Sequence, residues 1–192
     1  MHKSPISEFR KWFQRAKKKD ANIADSMILA TVKKNRRPSA RTLLLKGFDS
    51  KGFRFFTNYE SRKSQEINVN IFGALVFNWK NISVQVRIEG KISKLSRQAS
   101  IAYFKNRPRL SQLSAWASPQ SQVIPDRKFL INKVKFYEDK FKNGIVPCPP
   151  HWGGYILKPD YIDFIFLQIN RLHDRFTYRK KGSHWKIERV AP

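Results

Sequence analysis

The fold is constrained most by a series of short strand-like segments that do not alternate regularly with helices. Within residues 84–89, apolar and polar side chains alternate as in a strand with one buried face. Because a parallel sheet needs a helix after nearly every strand, the pattern favours an antiparallel barrel. The predicted fold class is mainly β with peripheral α. Strands are predicted at 27–32, 40–46, 53–57, 74–79, 84–92, 155–157, 161–166, 171–178 and 185–190.

Helices are predicted around the strands. Apolar side chains from Ile6 to Ala16 recur at helical spacing, and Ser4-Pro5 supplies an N-cap with a first-turn proline, so residues 4–19 are predicted to be an amphipathic helix. Further helices are predicted at 61–68, 96–106 and 126–143. Only the loop 142–150 offers a break, so residues 1–192 are predicted to form a single domain.

The charge balance of the chain is strongly basic. There are 39 Lys and Arg residues against 14 Asp and Glu residues, a formal net charge of +25. Three interpretations are open: a solvated basic surface, a polyanionic partner, or a few cations that hold small phosphates. Since the cations are spread along the whole chain, nucleic acid is expected to bind only non-specifically.

The compartment follows from features that the sequence lacks. No apolar run approaches the ~20 residues that cross a bilayer, and the N-terminus has no apolar signal core. Cys148 is the only cysteine, so no intrachain disulfide forms, in keeping with a reducing compartment. We expect a cytoplasmic protein without a membrane partner.

One candidate anion site lies in residues 57–63, where a predicted strand meets a predicted helix. With Ser61 as N-cap, the free N–H groups and the dipole of the helix start favour an anion. Arg62 and Lys63 add charge-assisted hydrogen bonds suited to a phosphate. The alternative is an ordinary capped helix with solvated cations. The sequence shows no Walker A loop, Gly-rich dinucleotide fingerprint or Cys/His cluster, so no metal is expected.

A second candidate is the segment 171–176. On a strand, Arg171, His173 and Arg175 would point to one face. They would then form one wall of an anionic pocket, or else a solvent-facing edge.

A weaker cluster comprises Tyr103, Arg107 and Ser111. Steps of four residues keep side chains roughly on one helical face. Pro108 is expected to interrupt the helix, which places Ser111 beyond its end. Alone, this spacing is a poor signal.

Segments from about Ile6 to the end match one family in their order and spacing. They are Pro38-Ser39-Ala40-Arg41-Thr42-Leu43-Leu44-Leu45-Lys46, Phe55-Phe56-Thr57-Asn58, Ser61-Arg62-Lys63, Gln85-Val86-Arg87, Tyr103-Phe104, Arg107-Pro108, Ser111-Gln112, Gln120-Ser121, Trp152-Gly153-Gly154 and Arg171-Leu172-His173-Asp174-Arg175. Together they resemble the pyridoxamine 5'-phosphate oxidase family.

The resemblance implies a fold and an activity. The fold is an FMN-binding split β-barrel, antiparallel and Greek-key-like, in a homodimer with FMN at the subunit interface. The activity is FMN-dependent oxidation of pyridoxine or pyridoxamine 5'-phosphate to pyridoxal 5'-phosphate, with oxygen as electron acceptor and hydrogen peroxide as product. The alternatives are a related split-barrel flavoprotein with weak or different oxidoreductase activity, and a basic nucleic-acid-binding module.

The resemblance also implies a cofactor site. Arg41, Arg62 and Lys63 would bind the FMN phosphate and its ribityl chain, and part of the site would come from the partner chain. The complete cofactor set is Arg41, Leu43, Leu44, Lys46, Phe56, Thr57, Arg62, Lys63, Gln85, Gln120, Ser121 and Arg175.

Substrate-binding residues are implied in the same way. Arg171 and His173 would pack against the pyridine ring and act as the catalytic pair. The substrate phosphate would be held by Lys46, Tyr103, Arg107 and Ser111.

The sequence departs from the family at two places. Ile165 stands where the family carries a tryptophan near FMN, so that contact is not carried over. This change is expected to loosen FMN or slow the reaction. An acidic residue before the first strand, Asp25, is offset from the family position and is assigned no role.

Overall fold

All nine strands described in the computed structural model, which covers residues 1–21 and 23–192, belong to one antiparallel sheet. The path of the sheet runs β2-β1-β5-β6-β7-β4-β3, and β8 and β9 branch from β7. The strands are β1 Ser26–Val32, β2 Pro38–Leu44, β3 Gly47–Asp49, β4 Gly52–Asn58, β5 Phe72–Trp79, β6 Val84–Lys94, β7 Trp152–Phe166, β8 Asp174–Lys181 and β9 His184–Val190.

Strand β7 is the longest and organises the sheet. Along one edge it pairs with β6, while the other edge is shared by two strands. Its first half pairs with β4, from Trp152 to Leu157, and its second half pairs with β8, from Tyr161 to Phe166. The sheet therefore divides at β7 into two branches, β4-β3 and β8-β9.

Five helices lie outside the sheet among the described residues. The first begins at Ser4, whose Oγ accepts from the Ser7 amide, followed by Pro5 in the first turn. Its Phe9 ring is fully buried and packs edge-on against Phe48 and Phe53. The predicted amphipathic helix is thus confirmed. The helices are α1 Pro5–Lys19, α2 Arg62–Val69, α3 Arg97–Lys105, α4 Arg109–Ala117 and α5 Arg127–Lys140.

The region between β6 and β7 holds a second apolar cluster, formed by Phe104, Leu113, Val146 and Trp152. Helix α3 ends at Lys105, and Pro108 is the N-cap residue of α4. The sequence patterns predict α3 but not α4. The expectation that Pro108 separates Ser111 from α3 is confirmed, since Ser111 lies within α4.

Two strand predictions are corrected by the way the chain changes partners. Strand β2 ends at Leu44, two residues before the predicted end. There the chain switches from β1 to β4, because the Lys46 amide donates to the Arg54 carbonyl. The strands predicted at 155–157 and 161–166 are one strand. Pro159 does not interrupt this strand. It lies opposite Gly90, next to the point where the register between β6 and β7 shifts, and at such an irregularity a missing backbone N–H is tolerated.

The predicted strand at 171–178 is wrong in its first part. Asn170 and Arg171 have φ values of 64° and 59°, in the left-handed region, and β8 begins only at Asp174. This backbone breaks the alternation on which the shared face of Arg171, His173 and Arg175 depended. Only Arg175 of the three is on a strand.

Candidate active site

A groove runs along β2, between the end of β4 and helices α3 and α4. It consists of two adjoining cavities of about 480 and about 380 Å³, which share Thr42, Leu43 and Gln120. We name them the Arg107 cavity and the Lys63 cavity. The Arg107 cavity is lined by Thr42, Leu43, Leu44, Lys46, Phe56, Thr57, Asn58, Tyr103, Arg107, Ser114, Ala115, Ser118, Gln120 and Trp152. The Lys63 cavity is lined by Ser39, Ala40, Arg41, Thr42, Leu43, Arg62, Lys63, Gln120 and Ser121.

Lys63 lies in the first turn of α2 and is 6% exposed. Its Nζ donates to Thr57 Oγ1 and Ser61 Oγ at 3.0 Å, and to Gln120 Oε1 at 3.1 Å. All three acceptors are neutral. Burial is the main cause that lowers the pKa of Lys63 to about 8; nearby Arg41 adds to the effect and Glu66 opposes it.

One buried carboxylate orients the two arginines of the Lys63 cavity. Glu66 accepts from Arg41 Nη2 at 2.9 Å, from Arg62 Nε at 3.0 Å and from Thr31 Oγ1 at 2.5 Å. Burial alone would raise the pKa of Glu66, but these hydrogen bonds outweigh it and hold the pKa below its usual value. Glu66 was not predicted as a site residue, although its i,i+4 spacing to Arg62 was a visible signal.

Arg107 follows α3, and its guanidinium Cζ lies 4.6 Å from the centroid of the Trp152 ring. Its Nη1 is buried and has no hydrogen-bond partner among residues 1–21 and 23–192. Burial lowers the pKa of Arg107, while the Tyr103 hydroxyl and the Cys148 thiol oppose this shift. A buried guanidinium N–H without an acceptor favours an anion in the cavity.

Lys46 and Tyr103 complete the polar lining near Arg107. Lys46 Nζ lies 3.6 Å from Asp25 Oδ2, so the offset acidic residue contacts the site after all. The Tyr103 ring stacks on Phe56 with centroids 3.8 Å apart. Burial raises the pKa of the Tyr103 hydroxyl, which stays protonated and able to donate at neutral pH.

The groove brings together most of the predicted site residues. Those that line it are Arg41, Leu43, Leu44, Lys46, Phe56, Thr57, Arg62, Lys63, Tyr103, Arg107, Gln120 and Ser121. The lining residues Ser114 and Ala115 of α4 and Ser118 at its C-terminal cap were not predicted, because α4 itself was not predicted. Trp152 had been quoted as part of a motif without a role.

Five predicted residues do not line the groove of the same chain: Ser111, Gln85, Arg171, His173 and Arg175. Gln85 and Arg175 lie on either side of Ile165, in register across β6, β7 and β8. Arg175 Nη2 donates to the buried Asp163 at 2.7 Å. His173 Nδ1 accepts a hydrogen bond from the backbone N–H of Gln168 at 3.1 Å. Arg171 is exposed.

Comparison with known proteins shows which family the chain belongs to. A family model described as pyridoxamine 5'-phosphate oxidase matches residues 17–139. The chain belongs to the pyridoxamine 5'-phosphate oxidase family. A second model, described as the pyridoxine 5'-phosphate oxidase C-terminal dimerisation region, matches residues 152–192. It covers β7, β8 and β9 and the segment that holds Arg171 and His173.

Relatives in this family match nearly the whole chain. A protein of Acaryochloris marina named pyridoxine/pyridoxamine 5'-phosphate oxidase is 48% identical over 189 residues, covering 98% of this chain and 86% of the relative. A Coxiella burnetii protein of the same name is 45% identical over 188 residues, covering 98% of this chain and 95% of the relative.

Solved structures confirm the predicted split barrel. PhzG from Burkholderia lata, in complex with tetrahydrophenazine-1-carboxylic acid, has a TM-score of 0.92 and 25% identity, covering 100% of this chain and 94% of that one. A pyridoxamine 5'-phosphate oxidase-related, FMN-binding protein from Nostoc punctiforme has a TM-score of 0.79 and 22% identity, with both chains fully covered. The latter likeness supports the fold alone.

Family membership makes the chain an enzyme with FMN as cofactor. The residues present fit such a group. The Lys63 cavity offers three cations for a single carboxylate, and Lys63 itself is buried among neutral acceptors that leave its charge unbalanced. A phosphate in this cavity would supply the missing negative charge.

Proposed function

We propose that this protein oxidises pyridoxine 5'-phosphate or pyridoxamine 5'-phosphate to pyridoxal 5'-phosphate, with oxygen as acceptor and hydrogen peroxide as product. The observation that carries the proposal is the pair of cationic cavities that share Thr42, Leu43 and Gln120. A phosphorylated flavin and a phosphorylated substrate need two phosphate sites at a short distance from each other. The names of the relatives agree with this assignment.

The Lys63 cavity would hold the FMN phosphate. Arg41 and Arg62 are aligned by Glu66, and Lys63 is fixed by Thr57, Ser61 and Gln120. The positively charged groups therefore need little rearrangement when the phosphate arrives, which keeps the entropic cost of binding low. The Leu43 and Leu44 backbone, which lines the groove next to this cavity, would run along the flavin ring.

The Arg107 cavity would hold the substrate phosphate. Arg107 Nη1 has no partner, Lys46 carries a second positive charge, and the protonated Tyr103 hydroxyl is available as a donor. These groups fix one end of the substrate, so that its ring is held against the flavin in a constant orientation. Ser111 lies on α4 outside this lining, so its proposed contact rests on the resemblance alone.

When bound, FMN would supply the redox chemistry, accepting the hydride of the substrate's exocyclic 4' carbon and passing the electrons to oxygen. The protein would bind and orient both partners. Oxidation of pyridoxamine 5'-phosphate also needs one water molecule at the reacting carbon, which releases the nitrogen as ammonia. We propose that Arg171 and His173 pack against the substrate ring, and that His173 helps to move the substrate's proton. His173 Nδ1 accepts from the Gln168 backbone amide, so a neutral imidazole carries its proton on Nε2 and would offer that N–H to the substrate as a donor.

We propose that the chain works as a homodimer with FMN at the interface. The dimerisation region matched in this chain includes Gln168 to Arg175, where Ile169 and Leu172 are 89% and 76% exposed. Apolar side chains this exposed favour burial in a subunit contact. A homodimer would allow Gln85, Arg171, His173 and Arg175 to complete the groove of the other protomer.

None of the helices in residues 1–21 and 23–192 is long and apolar enough to cross a membrane. We propose a cytoplasmic enzyme without a membrane partner, built as one domain over residues 1–192. Nucleic acid would bind only through the excess charge.

A second candidate is a different oxidoreductase activity on the same fold. The likeness to PhzG, whose structure holds tetrahydrophenazine-1-carboxylic acid, favours this candidate, and so does Ile165 in place of the family tryptophan. The unpartnered Arg107 Nη1 favours a phosphorylated substrate instead.

The test is the visible spectrum of the purified protein followed by addition of pyridoxamine 5'-phosphate. Flavin absorption, bleaching under nitrogen and formation of pyridoxal 5'-phosphate in air are the expected results. A flavin-containing protein that leaves the phosphorylated substrate unchanged would favour the second candidate. A colourless protein that does not bind added FMN would contradict both.

A further inference from the structure

Arg107 is held in the groove by aromatic rings. Its guanidinium Cζ lies 4.6 Å from the centroid of Trp152 and 5.6 Å from that of Phe104. In the described part of the chain no carboxylate forms an ion pair with it, and the ionisable groups that act on it are a hydroxyl and a thiol. An aromatic face attracts a cation without neutralising its charge.

The Trp152 ring belongs to a stack of three nearly parallel rings. The plane of the Tyr103 ring is tilted by 10° from that of Trp152 and by 11° from that of Phe56. The planes of Phe56 and Trp152 are 13° apart, and their ring centroids are 5.5 Å apart. Trp152 therefore contacts both a cation and the aromatic wall that carries the Tyr103 hydroxyl. A change at Trp152 would reach both groups.

The backbone of Trp152 is fixed from several sides. Its carbonyl accepts from Arg97 Nη1 at 2.8 Å, and its amide donates to the Pro149 carbonyl at 3.1 Å. Within the Trp152-Gly153-Gly154 motif, a Cβ on Gly154 would lie 2.7 Å from the Phe56 ring. The second glycine thus lets Phe56 lie flat against β7, so the motif builds the stack.

We propose that Trp152 is a positioning residue for the substrate phosphate: its indole holds Arg107 in place and leaves the full guanidinium charge for the ligand. The inference rests on the proposed function, because it takes the Arg107 cavity as the substrate phosphate site. A carboxylate in the same place would fix the guanidinium equally well but would compete with the phosphate. Trp152 is 6% exposed, so most of its surface packs against protein and only its edge lines the cavity.

The experiment is a calorimetric titration of the FMN-loaded protein with pyridoxal 5'-phosphate. Loss of a desolvated cation–π contact in Trp152→Leu should raise the Kd about 30-fold, while Trp152→Phe, which keeps an aromatic face, should raise it about threefold. The KM for pyridoxamine 5'-phosphate should follow the Kd, with kcat changed much less. FMN affinity should stay within about twofold.

The matched control is Trp116→Leu. Trp116 packs in the same part of the molecule, against Tyr137 and Phe141, whereas the rings on which Arg107 lies are Phe104 and Trp152. It should lose stability as Trp152→Leu does, yet keep the wild-type Kd for pyridoxal 5'-phosphate. A similar increase in the Kd for pyridoxal 5'-phosphate in both variants would indicate general loosening of this region and overturn the proposal.

A double-mutant cycle separates positioning from a merely structural role. If Trp152 acts mainly through Arg107, Trp152→Leu should raise the Kd much less in the Arg107→Gln background than in the wild type. Additive losses would overturn the inference.

The same titrations separate the inference from the proposed function. Tight pyridoxal 5'-phosphate binding without oxidation of pyridoxamine 5'-phosphate would contradict the oxidase while the Trp152 series still supports positioning. Wild-type binding by Trp152→Leu alongside a weakened Arg107→Gln would overturn only the inference. No binding by the wild type would overturn both.

Discussion

The two cavities of the groove hold their cations by different chemistry. In the Lys63 cavity, Glu66 pairs with Arg41 and Arg62, and neutral acceptors hold Lys63. In the Arg107 cavity, aromatic rings hold the guanidinium, and Lys46 faces the Asp25 carboxylate. Both cavities are cationic, but only the first uses a buried carboxylate to orient its cations.

This difference suits the two phosphates we assign to the groove. The Lys63 cavity has three cations and one carboxylate, whereas the Arg107 cavity has two cations and one carboxylate. The Lys63 cavity therefore carries the larger net positive charge. A larger charge favours a phosphate that is retained through many turnovers, and the smaller one a phosphate that leaves with the product. The following substitutions test whether the two cavities are separate in this way.

The largest effect is expected from Lys63→Gln. An amide can keep hydrogen bonds to Thr57 and Ser61, but the buried positive charge is lost. FMN affinity should fall about 100-fold, the usual range for one partner of a buried charge pair. Quenching of flavin fluorescence measures it, with Lys18→Gln on the exposed side of α1 as the control. A variant that binds FMN as the wild type does would remove Lys63 from the cofactor site.

The opposite pattern is expected from Arg107→Gln. Loss of a charge-assisted hydrogen bond should raise the KM for pyridoxamine 5'-phosphate about 30-fold and leave FMN affinity unchanged. Arg109→Gln is the matched control, because Arg109 donates to the Phe141 and Gly144 carbonyls outside the groove. Loss of FMN from Arg107→Gln would show that the cavities are not independent.

FMN binding should weaken with rising pH. In the free protein the pKa of Lys63 is about 8, and a bound phosphate raises it. Below pH 8 Lys63 is charged in both states; above it, binding must take up a proton. The Kd should therefore rise about tenfold between pH 7 and pH 9, measured by fluorescence titration. The same profile should be flat in Lys63→Gln, and a flat profile in the wild type would contradict the assignment.

The smallest effect is expected from Glu66→Gln. Without FMN, loss of the carboxylate leaves Arg41 and Arg62 unbalanced, which should cost about 1–2 kcal/mol and lower the Tm by about 5 °C. Added FMN should restore most of this difference, because its phosphate replaces the missing charge. Glu89→Gln removes an exposed pair with Arg87 and should change little. A Tm difference that FMN leaves unchanged would mean that Glu66 only stabilises the fold.

Local patterns predicted the Lys63 cavity better than the Arg107 cavity. Arg62 and Lys63 follow a strand and begin a helix, so their position was visible within a few residues of sequence. Arg107 and Trp152 come from distant segments, and their contact depends on the placement of α3 and β7. No period or spacing indicates such a contact. Arg107 and Trp152 both lie in motifs shared with the family, but the motifs do not show that the two side chains are in contact.

The failure at Arg171 and His173 has a different cause. Alternation in 171–178 is typical of a strand, but the left-handed backbone at Asn170 and Arg171 delays β8 until Asp174. Asparagine adopts this conformation more easily than most residues, which was the only local signal. Most strands of the sheet were predicted to within about two residues, but β3 was not predicted and β7 continues through Pro159 as one strand.

The most direct test of two separate phosphate cavities is ³¹P NMR of the protein loaded with FMN. After desalting, we expect one bound phosphorus resonance per chain, from the cofactor. Pyridoxal 5'-phosphate should add a second bound resonance that is absent from Arg107→Gln while the first remains. A spectrum in which pyridoxal 5'-phosphate displaces the FMN resonance, or in which only one phosphate binds at saturation, would contradict this account.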